Sequence, residues 1–190
     1  MNEDNLLKEC LSGNARAQKQ LYEKYARKMF GVCLRYASDK SMAEDFMQEG
    51  FIRIFMKLDS FKSQGSLEGW MRRIIVNTAL ESLRKKDILR NSLELSNPDQ
   101  PYHELMQSQV TDPAADEEME EHDKYHVPAE VLYKMINEMP VGFRTVFNLY
   151  AVEDYSHKEI GSMLDISEGT SKSQYARARA WLQKRLNDRK

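Results

Sequence analysis

Cysteine is nearly absent from this chain. Cys10 and Cys33 are the only two in 190 residues, and they form no CxxC pair and have no histidine beside them. This excludes a disulfide scaffold and a thiolate zinc site, and it suits a reducing cytoplasm. Glycine (8) and proline (5) are scarce, and β-branched runs are few. That composition argues against turn-punctuated strands and predicts an all-α fold. No apolar run approaches the roughly 20 residues of a membrane span, so no membrane insertion is expected. The opening Met1-Asn2-Glu3-Asp4-Asn5 has no signal-peptide pattern. No GxSxG, HExxH or P-loop pattern occurs, so neither a catalytic site, a cofactor nor a metal is expected. Charge of one sign is lacking as well, the total being −2, but that balance is unevenly spread.

The composition that remains, 41% hydrophobic and 31% charged, is ordinary for a globular protein. Its length allows one large or two small domains. Nine acids and a single base, Lys124, fall between Asn97 and His126, a net −8 that leaves the flanking segments together at +6. Pro98, Pro101 and Pro113 interrupt that stretch, and apolar residues are sparse in it. It reads as a flexible acidic tether over 96–127 between a first domain, 1–95, and a second, 128–190.

The second domain carries the strongest pattern. Ser156 followed by Glu159 forms a capping box, so a helix should start there. Ile160, Met163 and Leu164 give it one apolar face. It stops at Asp165, and Ser167 then suits the N-cap of a second helix, with Ile166 packing just before it. A turn of about three residues between two helices is the spacing of a DNA-binding helix-turn-helix. The second helix opens on Gly169, Thr170, Ser171 and Ser173, small polar residues that let a helix end approach DNA. From Glu168 to Lys190, seven bases stand against two acids, a net +5. Phosphate binding needs that local excess rather than a basic whole protein.

In the first domain, Ala43, Phe46, Met47, Gly50, Phe51, Ile54, Phe55 and Leu58 recur every three or four positions, a core stripe. The other face of that helix carries Asp45, Gln48, Glu49, Ile52, Arg53 and Met56. Ile52 and Met56, an apolar pair rimmed by charge, suit a protein partner. A polar turn follows, Phe61-Lys62-Ser63-Gln64-Gly65-Ser66, and then a helix from Trp70 to Lys86 with apolar contacts from Trp70, Ile74, Ala79, Leu80 and Leu83. Arg73, Asn77 and Arg84 fall on its polar side. From Met71 to Arg90, six bases face two acids, a net +4. A basic helix beside a flexible polar loop suits single-stranded DNA with an unstacked base.

Four stretches together resemble the extracytoplasmic-function (group 4) sigma factors of bacterial RNA polymerase, in the sigma-70 family. They are Leu21 to Tyr25, the Ala43-Glu-Asp45-Phe-Met-Gln48-Glu49-Gly-Phe51 helix, Phe61 to Asn77, and Met139 to Phe147 with the Ile166-Ser-Glu-Gly-Thr170 turn. The resemblance covers roughly residues 15–90 and 128–187. It implies two helical domains that bind core RNA polymerase and direct it to promoters. Asp45, Gln48, Glu49 and Ile52 would contact the β′ clamp helices, and the β flap is a further implied contact on the polymerase. Phe61, Lys62, Ser63, Gln64, Gly65 and Ser66 would line the loop that captures a flipped −10 base. Asn77 would help read it, with Arg73 and Arg84 holding the strand. Lys172, Ser173, Gln174 and Arg177 would face the −35 element, with Ser167, Thr170 and Arg179 better suited to backbone or core roles. Many relatives have an apolar residue at Ser171 and Arg at Gln174. Glutamine there would suit adenine where arginine suits guanine. A separate anti-sigma factor is the implied regulator.

Two other classes fit parts of the pattern. A stand-alone duplex-binding regulator would explain the helix-turn-helix, but it leaves the Asp45–Met56 face and the loop before Trp70 without purpose. An enzyme using Glu44, Asp45 and Glu49 as metal ligands would need further convergent ligands, which the four histidines, His103, His122, His126 and His157, do not supply.

Overall fold

The computed structural model describes residues 3–86, 89 and 127–188, and the chain divides into two compact units, the first ending at Lys86. Most of the acidic 96–127 stretch expected as a tether lies outside the described residues. Every regular element among them is helical, in line with the all-α expectation.

The first unit packs α1 (Glu3–Leu11), α2 (Ala15–Tyr36), α3 (Lys40–Met56) and α4 (Leu67–Lys85), with a 3-10 turn at Leu58–Ser60. Each of the three long helices begins on a side-chain cap. Asn14 Oδ1 accepts from the N–H groups of Arg16 and Ala17, Asp39 Oδ1 from Met42, and Ser66 Oγ from Gly69. Such caps satisfy donors that a helix start leaves open. Helix α2 buries Ala17, Leu21, Tyr25, Met29, Val32 and Tyr36, a strict three-to-four spacing that faces α3 and α4. The stripe expected on α3 is the buried one, with Phe55 only half-buried. Helix α4 differs from its expected pattern. It starts three residues earlier, at Leu67, and Leu67, Met71, Ile75 and Val76 are buried in place of the half-buried Trp70 and Ile74. Ser66 caps that earlier start, and Ala79, Leu80 and Leu83 are buried as expected.

Gly50 decides how closely α3 and α4 approach. A Cβ there would lie 2.3 Å from Ile75 Cδ1, inside any real contact. The first helix is tied down by Glu3, whose carboxylate accepts from Lys24 Nζ and Tyr25 Oη, both at 2.6 Å. Those bonds hold its carboxyl below the usual range, the Lys24 bond being the larger cause. Both cysteines are free and buried, and burial pushes the Cys33 thiol up to about 12.

The second unit holds α5 (Ala129–Asn137), α6 (Val141–Ala151), α7 (His157–Leu164) and α8 (Glu168–Asn187). Met135, Met139, Phe143, Ala178 and Leu182 form one core cluster, flanked by Val131, Ile136, Phe147, Trp181 and Leu186, and Val146, Leu149, Ile160 and Leu164 are buried as well. Arg144, 3% exposed, donates from Nη1 to the carbonyl of Asn137, the last residue of α5. A cation at a helix C-terminus is favourably placed against the helix dipole.

Candidate partner face and nucleic-acid interface

Asp45, Gln48, Glu49 and Ile52 are all exposed and share the outer face of α3. They line one depression of about 380 Å³ together with Thr78 and Ser82 of α4 and Lys86, which caps its C-terminus. Ile52 is 48% exposed and Met56 75%, large apolar surface that a solvated helix face has no reason to carry in a row. A second groove, with Gln48 and Ile52 at its edge, is walled by Tyr22, Ala26, Phe30, Phe51 and Phe55. The geometry therefore brings together the four residues expected to meet a partner and extends their face onto α4. Glu49 does not stand alone there. Its Oε1 accepts from Arg53 Nε at 2.8 Å, and Arg53 Nη1 also donates to Glu81 Oε2 at 2.7 Å. Helical spacing puts Arg53 on the outer face but does not show this fork. The i, i+4 spacing of Arg53 from Glu49 is legible in sequence, but the pairing with Glu81 needs the α3–α4 crossing.

Lys62, Ser63, Gln64, Gly65 and Ser66 are exposed in one loop, and Phe61 is half-buried at its start. Phe61 and Trp70 pack with ring centroids 5.5 Å apart, which closes the base of the loop. Two residues give the loop its bend. Ser63 takes the left-handed region at φ 53° and Gly65 takes φ 151°, a conformation open to glycine and costly for other residues. Ser66 is committed to the cap of α4. Arg73, Asn77 and Arg84 are exposed. At 100° per residue they fall within about 40° of one another around α4, so one strand could run along all three.

In the second unit the capping box is present. Ser156 Oγ accepts from the N–H of Glu159, and the Glu159 carboxylate accepts from the N–H of Ser156. Asp165 ends α7 in the left-handed region at φ 57°, ψ 47°, which turns the chain sharply into Ser167. There Ser167 Oγ accepts from the N–H of Thr170 at 2.9 Å and starts α8. Gly161 lets the two helices meet, because a Cβ there would lie 2.8 Å from the carbonyl of Ile166.

Along α8, Lys172 and Ser173 are exposed and Arg177 is half-buried. Lys172 Nζ lies 2.8 Å from Glu168 Oε1, an exposed and solvent-screened pair that opens readily to a phosphate. Gln174 corrects the sequence expectation. It is 1% exposed, on the inward stripe with Ser171, Ala178 and Leu182. Helical spacing puts residue 174 three positions from 171 and four from 178, so it turns with them into the unit and away from any groove. Ser171, also fully buried, receives a different role. Its Oγ is 2.9 Å from His157 Nδ1. The His157 ring stacks on Tyr150 at 4.3 Å and 8°, and Tyr175 packs against both. This aromatic cluster joins α6, α7 and α8. Nothing in linear spacing brings positions 150, 157 and 175 together, and only the packing of the three helices does so.

Comparison with known proteins follows the same division. Residues 21–88 match the family model described as Sigma-70 region 2, and residues 129–182 that described as Sigma-70, region 4. The ECF RNA polymerase sigma factor SigW of Bacillus subtilis is 28% identical over 185 residues, covering 96% of this chain and 95% of that protein. The ECF RNA polymerase sigma-E factor of Haemophilus influenzae is 24% identical over 200 residues, covering 98% and 96%. Among solved structures, the sigma factor RpoE from Bartonella quintana, crystallised with the anti-sigma factor NepR, is similar at a TM-score of 0.50 and 21% identity, covering 89% of this chain and 96% of that one. That last likeness is one of fold.

Proposed function

The chain belongs to the extracytoplasmic-function sigma factors of the sigma-70 family, and on that premise we propose which of its surfaces perform the family's task. The protein binds core RNA polymerase and directs promoter-specific initiation, a non-catalytic role. The domain limits we assign are 1–95 for polymerase binding and −10 melting, 96–127 for the acidic connection, and 128–190 for −35 recognition.

Asp45, Gln48, Glu49 and Ile52 meet the β′ clamp helices. The acids answer basic partner groups while Ile52 enters an apolar pocket, and desolvation of the centre strengthens both. Phe61 to Ser66 take a flipped −10 base, with Phe61 and Trp70 as the floor. Arg73 and Arg84 hold the strand backbone, and Asn77 reads. Lys172 and Ser173 enter the −35 major groove from the start of α8, and Arg177 flanks them. Ser167 and Thr170 fix the helix end against phosphate, and the β flap contacts this same domain. Gln174 is no longer among the readers. The partner class seen with the Bartonella relative, an anti-sigma factor, is assigned to this chain as well. No helix of the described residues is long and apolar enough to cross a membrane, and we place the protein in the cytoplasm, where polymerase works.

One observation carries this reading over a stand-alone regulator, namely the exposed apolar and acidic face of α3, which duplex binding does not use. The test is transcription from the protein's own upstream DNA with purified core polymerase, comparing wild type with Asp45→Ala/Gln48→Ala. Transcripts with the wild type and lost polymerase binding in the variant support the assignment. Tight duplex binding without stimulation of polymerase would favour the regulator.

A further inference from the structure

Arg53 stands between the two working faces of the first unit. Its planar guanidinium donates on one edge to Glu49 of α3 and on another to Glu81 of α4. The Arg53 side chain is only 24% exposed, against 51% for Glu49 and 43% for Glu81. The fork therefore sits partly shielded while the two carboxylates it holds reach the surface. An arginine held on two sides fixes both partners in angle as well as distance, which a lysine cannot do. The charges agree with this geometry. Arg53 is the leading cause of a Glu81 carboxyl held below the usual range, with Lys85 and Arg84 adding to it. Glu81 in turn is the leading cause of the raised Arg53.

The positions of the two acids give the fork its meaning. Glu49 belongs to the face assigned to the clamp helices. Glu81 lies one helical turn past Asn77 and one turn before Arg84 and Lys85, on the helix assigned to the −10 strand. We propose that Arg53 is a positioning residue for both activities, orienting Glu49 toward polymerase and withholding Glu81 from the promoter strand. This rests on the face assignments given under Proposed function. Without Arg53, Glu81 is free to pair with Arg84 or Lys85 at (i, i+3) and (i, i+4), the spacing that favours such pairs. Both outcomes, cations neutralised or a bare carboxylate beside phosphates, weaken the hold on the strand. Glu49 meanwhile loses its fixed rotamer, and the ordering that Arg53 supplied must then come from the binding event.

The test uses the full chain and four variants: Arg53→Met, Arg53→Met/Glu81→Gln, Arg53→Lys and Asp45→Ala/Gln48→Ala. Core polymerase affinity is read by fluorescence anisotropy, strand opening by permanganate reactivity of upstream DNA at saturating polymerase, and folding by thermal melts. Arg53→Met should weaken core affinity by about 3–10-fold, the scale of one lost orienting contact, and reduce opening by a similar factor. Adding Glu81→Gln should restore opening to within about twofold while core affinity stays weak, because only the acid near the strand has been neutralised. Arg53→Lys, one ammonium in place of a fork, should fall between wild type and Arg53→Met. A plain structural ion pair predicts instead that opening follows the melting temperature and that Glu81→Gln rescues nothing, and that result would overturn the proposal. Unchanged affinity and opening in Arg53→Met would overturn it too. If Asp45→Ala/Gln48→Ala binds core like wild type, the face assignment fails and takes the Glu49 half with it. If that variant loses core while Arg53→Met does not, the fault lies with Arg53 alone.

Discussion

His157 Nδ1 lies 2.9 Å from Ser171 Oγ, so the first residue of α7 is bonded to the first turn of α8, the helix to which we assign −35 recognition. The same ring stacks on Tyr150 of α6 and touches Tyr175 of α8, with Lys172 and Glu168 as the charges facing it. Burial first, and Lys172 second, hold the imidazole below its ordinary pKa, with Glu168 opposing. The folded state therefore prefers the neutral ring. Above about pH 6.5 neither state binds the proton and stability is complete. As pH falls through that value the unfolded chain protonates first, and stability is lost until the lower folded pKa is passed. Thermal melts between pH 7.5 and 5.5 should show this decline in wild type and a shallower one in His157→Gln. Identical slopes in the two proteins would remove His157 as the cause.

Gly161→Ala should damage the helix-turn-helix more than any glycine change nearby. Its new Cβ would meet the Ile166 carbonyl at 2.8 Å and the Glu168 nitrogen at 3.6 Å, and backbone on that side cannot step back without moving α8. The expected loss is about 2–3 kcal/mol, read by urea unfolding, with weaker −35 duplex binding. Gly169→Ala is the comparison. There the nearest atom is Ser167 Oγ at 3.7 Å, ordinary contact, and stability should stay within about 1 kcal/mol of wild type.

Gly50→Ala should be costly but repairable. The clash is with Ile75 Cδ1, the tip of a fully buried side chain, so about 1–3 kcal/mol is expected for the overpacked site. Ile75→Val alone should cost about 0.5–1.5 kcal/mol. Combined, the two should lose less than their sum, because the second removes the atom the first strikes. Strict additivity in a double-mutant cycle would mean that the helices part instead of the side chain yielding.

Gln174 and Lys172 should separate stability from reading. Gln174→Met, at a buried position, should leave the preferred −35 sequence unchanged. Gln174→Glu, which buries a charge, should cost several kcal/mol, on the order of 3. Lys172→Ala should do the reverse, altering DNA affinity or base preference with little change in melting temperature. Binding selection on randomised −35 duplexes measures the first property, and thermal melts the second.

The parts of this molecule legible in sequence are those written in local chemistry. Ser156 with Glu159, and Ser167 after Asp165, are bonds between near neighbours, and both form as their spacing implies. The α3 stripe is legible for a similar reason, since its period needs no knowledge of the partner helix. What escaped depends on a crossing. Gln174 is polar and lies beside Lys172 and Ser173, so linear reading turns it outward, and only the packing of α8 against α6 and α7 turns it in. Ile74 and Ile75 are equally apolar, and only the close approach of α3 at Gly50 shows which one the core takes. Arg53 with Glu81, and His157 with Tyr150 and Tyr175, join residues whose separation in sequence carries no period at all.

The two sulfhydryls, finally, have a practical side. Cys10 and Cys33 are 4% and 0% exposed, and burial raises both thiols above the ordinary range, so neither is a ready thiolate for maleimide chemistry in the native protein. A new cysteine at an exposed position such as Lys19 or Gln183 would be labelled selectively without stripping out the native pair. A donor and acceptor placed there, one in each unit, turn the free protein into its own ruler, reporting by energy transfer how polymerase, promoter or a captor protein changes the distance between them.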